Sequence, residues 1–171
     1  MGLETDNIFQ DEEDEFFTKE ADDAFRSKVK RKTITQTVDS GTTGTTLVND
    51  DELFMTLSPE STYTFQLVID LQSHETPDFK WVFTVPTGTT GSYMADIIDK
   101  DSSEPATARV SNLITQQNTD YLSEGDLIIN INGVIQTGTT SGNIQLQWAQ
   151  LYSSANDTSV LINSYMMVIK Q

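Results

Sequence analysis

The sequence predicts an all-β protein: a jelly-roll-like antiparallel β-sandwich carrying an extended or helical N-terminal arm. Three observations lead there. Runs of alternating apolar and polar residues recur after residue 33, the period of a half-buried strand. Clusters of Gly, Pro, Ser, Thr and Asn separate the runs, as strand-connecting turns require. The charge breaks sharply, with −9 over residues 1–25, +5 over residues 26–32 and −12 over residues 33–171, for a net charge of −16. The break divides the chain into an arm, residues 1–32, and a sandwich, residues 33–171.

Within the arm, Phe9, Phe16, Phe17 and Phe25 fall roughly on a helical period, with the acids of residues 11–15 between them. A single amphipathic helix of this size cannot bury four phenylalanines and is marginal in water by itself. Two readings stand: a solvated acidic tail, or a docking arm that orders on a partner. The second makes the four phenylalanines partner-binding residues. Arg26, Lys28, Lys30, Arg31 and Lys32 hold half of the chain's positive charge. Flanked by acids on both sides, they suit an electrostatic joint to an acidic patch on a partner; a plain solvated linker is the other reading.

The body begins with a β-branched run at 33–38 and a Gly/Thr loop at 40–44. Residues 52–57 alternate, with Leu53, Met55 and Leu57 on one face, and a turn at 58–61 follows. Residues 62–72 give the longest alternation: Tyr63, Phe65, Leu67, Ile69 and Leu71. Phe79, Trp81, Phe83 and Val85 repeat it, and a Gly/Thr loop closes the strand. Residues 96–104 are polar and predict a loop, and 109–114 a further strand. Leu127, Ile129 and Ile131 precede Asn132-Gly133, the dipeptide most typical of a two-residue hairpin. Ile144, Leu146 and Trp148 line another strand, and residues 159–170 the last. About eight strands with one wet face each suit a two-sheet sandwich. The outward positions are rich in Thr, Ser, Gln and Asn, with Lys and Arg nearly absent. That composition fits packing against other subunits, or simply the strand preference of Thr.

Composition excludes several functions. A net charge of −16 opposes binding to nucleic acid and to anionic membrane faces. The absence of cysteine removes disulfides, thiolate metal sites and thiol nucleophiles. The lone histidine, His74, lies in a loop without a Gly-x-Ser-x-Gly elbow in the chain, so a catalytic triad is not expected. Asp96, Asp99, Asp101 and Glu104 cluster but lack the spacing and glycine of a calcium loop. Asp50, Asp51 and Glu52 precede a strand and suit side-chain to backbone hydrogen bonds more than metal binding. No phosphate loop or dinucleotide fingerprint is present. The expectation is therefore a protein without catalytic residues, cofactor or metal.

An ordered set of short stretches, at 46–53, 61–65, 77–81, 83–88, 141–150 and 158–165, resembles a group of tailed-bacteriophage virion proteins. These are decoration proteins, minor structural proteins and the C-terminal modules of tail and head fibres. The resemblance covers roughly residues 33–171 and leaves the arm outside. It implies a compact β-sandwich, often a homotrimer, on the particle surface, assembled in the host cytoplasm. A single sandwich with one arm and no shaft repeat is closest to a capsid decoration (cement) protein, whose partners are its own copies, the major capsid protein and other virion proteins. A tail, neck or head-fibre module that binds the host cell surface is the alternative.

Overall fold

The computed structural model describes residues 27–38, 44–73, 78–99, 106–110, 112–119 and 126–171. The arm residues Phe9, Phe16, Phe17, Phe25 and Arg26 lie outside that set, as does His74. The described residues form twelve strands: β1 (Ser27–Arg31), β2 (Gln36–Val38), β3 (Val48–Leu57), β4 (Thr62–Gln72), β5 (Phe79–Thr84), β6 (Thr90–Asp99), β7 (Ala106–Val110), β8 (Gln117–Asn118), β9 (Leu127–Gln136), β10 (Gly142–Gln150), β11 (Thr158–Val160) and β12 (Tyr165–Lys170). All strand pairings among the described residues are antiparallel.

The strands make two sheets. The larger runs β1-β12-β4-β9-β6-β7, with β11 and β2 attached beside β4; the smaller runs β3-β10-β5-β8. Setting aside β2, β11 and the added β6–β7 hairpin, the order β1-β12-β4-β9 faces β3-β10-β5-β8. Successive strands cross from one sheet to the other, which is the nesting of a jelly roll.

The alternating runs bury the residues the sequence assigns inward. Tyr63, Phe65, Leu67, Ile69 and Leu71 of β4 are buried, and so are Leu53, Met55 and Leu57 of β3. Between the sheets the Phe83 ring meets Phe65 at 5.6 Å and Tyr93 at 5.5 Å, both edge-to-face, while Phe79 stacks on Trp81. These are the preferred aromatic geometries of a packed core. Burial pushes the Tyr93 hydroxyl up to about 12, with the Trp81 side chain acting in the opposite direction.

Three local expectations change. Asn132-Gly133 is not a hairpin turn: both residues sit inside β9, and Gly133 pairs with Phe65 on β4 and Tyr93 on β6. A Cβ there would meet the Phe65 ring, the Ser92 carbonyl oxygen at 2.5 Å and Tyr93 Cβ at 2.8 Å. The glycine makes room for two rings, the close-approach role of a strand glycine rather than its turn role. Residues 96–99 belong to β6 and not to a loop, with Asp96 half-buried and Asp99 buried. The strand of 109–114 stops at Val110, and Asn112 then accepts the Thr115 amide in a turn.

Candidate functional site

The basic segment enters the body as an edge strand. Ser27–Arg31 pairs along β12 from Ile169 to Tyr165 and forms the outer limit of the large sheet. Lys28, Val29, Lys30 and Arg31 are exposed. Lys side chains on an edge strand discourage uncontrolled strand addition. They also cover apolar surface with their stems. Lys30 stands over the Phe54 ring at 5.1 Å and Arg31 over Tyr165 at 5.9 Å, both within cation–π range. A groove between Lys28, Val29 and Lys30 on one side and Phe54 and Thr56 on the other lies between β1 and β3, the outermost strands of their sheets among the described residues.

Lys32 behaves differently from its neighbours. It is 3 % exposed, and its ammonium donates to both carboxylate oxygens of Asp50 at 2.9 Å. Asp50 also accepts the Glu52 and Leu53 amides and the Trp148 indole N–H at 3.0, 2.9 and 3.2 Å. The buried carboxylate is thus surrounded by donors, as a buried charge must be. It sits in a wide bulge: residues 50–53 of β3 stand opposite Leu146 alone, between the pairs Gln145↔Phe54 and Gln147↔Asn49. The Gln145 side chain closes the bulge by donating to the Asp50 carbonyl oxygen at 2.6 Å.

A second layer fastens the connecting segment to the same bulge. Glu52 accepts the Thr33 and Ile34 amides at 2.8 and 3.0 Å together with the Thr33 hydroxyl. These donors, the Thr33 hydroxyl foremost, lower the Glu52 carboxyl to about 2. The Gln36 side chain accepts the Asp51 amide and donates to the Asn49 carbonyl oxygen. Asp50 and Glu52, the outer two of the three consecutive acids, therefore do bind backbone amides, but they shape a bulge inside β3 rather than a turn ahead of it. Sequence reasoning missed Lys32 as their counter-charge. The available signal was Trp148, an indole on an inward strand position that needs an acceptor.

The remaining sequence candidates are not brought together. Trp81 and Trp148 are core residues with no exposure. Asp96 and Asp99 lie on β6, while Asp101 and Glu104 are outside the described residues. Among the described residues no group of three or more His, Asp or Glu side chains is placed to hold a metal ion.

No family model matches the chain, and no curated protein sequence matches it. Among solved structures, it is similar to infectious bursal disease virus, Gx strain, at 7 % identity, covering 85 % of this chain and 36 % of that one with a TM-score of 0.22. It is similar to the VP2 subviral particle of infectious bursal disease virus at 10 % identity, covering 85 % and 39 % with a TM-score of 0.22. The chain spans well under half the length of these structures.

Proposed function

We propose that this protein is a non-enzymatic structural component of a tailed-phage virion: a capsid decoration protein that assembles as a trimer on the head surface. Its N-terminal arm binds the major capsid protein. Phe9, Phe16, Phe17 and Phe25 supply apolar area, and Lys28, Lys30 and Arg31 on the edge strand supply positive charge. Burying a few such rings contributes several kcal/mol at about 25 cal/mol per Å², and repetition over a shell multiplies it.

The observation that carries this reading is the lock beneath the arm's point of departure. A buried ion pair is an expensive way to gain stability, yet one stands directly after the last residue of β1. It ties the edge strand that continues the arm to the opposite sheet. A tail that bears no load needs no such anchorage, whereas an arm that holds the body to a particle does. The jelly roll itself selects no function, because viral capsid domains, lectins and cupins share it; the sequence resemblance to phage virion proteins supports the choice.

Cryo-electron microscopy of intact particles tests the proposal. The expected result is density for the sandwich on the head lattice, with residues 1–26 running between capsid subunits. Density confined to the neck or tail replaces the cement role with that of a host-binding module.

A further inference from the structure

The outward face of the large sheet is poor in charge and carries several exposed apolar side chains. Across β12, β4, β9 and β6 the register sets rows of outward side chains such as Met167–Gln66–Asn132–Met94 and Ile169–Thr64–Val134–Ser92. No outward position on these four strands is Lys or Arg, and only Asp70 and Asp96 are acids. Met94, Ile98 and Val134 are 50 %, 43 % and 47 % exposed. The neighbouring edge strand adds Val29, opposite Met167 in the register and 45 % exposed. The centre is an amide ladder. Tyr165 OH donates to Gln66, and Gln66 and Asn132 both donate to the Asn130 side-chain oxygen, at 3.2, 3.4 and 3.1 Å. Asn132 stands between two hollows, one floored by Gln66, Met167 and Ile169, the other by Ser92, Met94 and Val134.

We infer that this face is the contact between copies of the chain, turned toward a shared axis so that the hollows of one copy receive apolar side chains of the next. The inference rests on the self-association included in the proposed function and gives it a surface. Three arguments select a second copy as the occupant. First, at a net charge of −16 two copies repel one another, and a face with only two acids adds little to that repulsion. Second, amides both donate and accept, so an amide ladder finds partners on whichever part of the face a neighbouring copy presents, as a ring of three identical chains needs. Third, four strands spaced about 4.8 Å apart and running some 30 Å span roughly 600 Å². With the flanking β1 and β7 the span approaches the ~800 Å² per partner of a stable interface.

The chain's lack of cysteine makes the test direct. Asn132→Cys places a single thiol at the centre of the face. Ile114→Cys places one at an exposed position off these strands, with Ile114 59 % exposed. Each full-length variant is sized by light scattering and labelled with a maleimide at matched concentration. The expected result is an oligomer in which the thiol at 132 labels roughly tenfold more slowly than that at 114, as when most copies are associated. Met94→Glu with Met167→Glu, both surface changes, is expected to yield a folded monomer. An oligomer whose thiol at 132 labels freely overturns this surface and leaves self-association standing. A folded monomer with that thiol free overturns both. A monomer with it protected shows that residues of the same copy cover the face, which also overturns the inference.

Discussion

Taking a lysine ammonium out of water costs several kcal/mol, and Lys32 meets that cost with a carboxylate held at 2.9 Å and with the Gln36 side-chain oxygen at 3.4 Å. Asp50 meets its own with five donated hydrogen bonds, from the Lys32 ammonium to each of its oxygens, from two strand amides and from the Trp148 indole. Removing the ammonium while leaving the carboxylate buried is the costly change. Lys32→Met is expected to lower the unfolding free energy by about 3–5 kcal/mol in urea titration. Adding Asp50→Asn removes the stranded charge while keeping an acceptor for the strand amides. The double variant is therefore expected to be more stable than Lys32→Met alone. A Lys32→Met cost below about 1 kcal/mol, the range of a surface pair, would mean that the ion pair does not hold the edge in place.

At the scale of elements, one of the ties that fasten the segment after β1 to β3 is the Glu52 carboxylate, and that gives the segment a pH dependence. Glu52 is lowered from an ordinary 4.5 to about 2 by the Thr33 hydroxyl and the Ile34 and Thr33 amides. A depressed carboxyl stabilises the fold above its unfolded value and loses that contribution as pH falls through the folded one. Glu52→Gln is therefore expected to be less stable than the parent above pH 4.5, with the gap closing as pH falls to about 2; a gap that stays constant over that range would separate the clamp from the carboxylate's charge. The same region shows what a sequence can and cannot display. Long alternations such as 62–72 and 127–131 announce strands because each inward position is apolar. Strand β1 announces none, since Lys28, Lys30 and Arg31 are the side chains of an edge whose outer side faces water. Asn132-Gly133 looks like a turn in one dimension; only the neighbours Phe65 and Tyr93, far away in sequence, make it a strand interior. Lys32 is indistinguishable from four other bases until Asp50 and Trp148 are brought beside it.

At the scale of the whole molecule, the question is where the body ends and the arm begins. The charge pattern puts the boundary after residue 32, but β1 pairs with β12 along its length, and the Lys32 amide donates to the Ser164 carbonyl oxygen at 2.9 Å. Two truncations separate these boundaries. Removing residues 1–26 keeps the edge strand and the lock, and the melting temperature is expected to stay within a few degrees of the full chain. Removing residues 1–32 takes away β1, exposes the edge of β12 and leaves Asp50 buried without its counter-charge. A loss of at least 3 kcal/mol then corresponds to a drop of at least about 6 °C for a chain of this size. The comparison also decides how the arm is to be tested on particles. If the shorter chain is unstable, its failure to bind heads says nothing about the phenylalanines, and only the cut after Arg26 isolates them. If both truncations melt with the full chain, β1 is dispensable to the body, and Lys28, Lys30 and Arg31 are free to leave the sheet and follow the arm onto the partner.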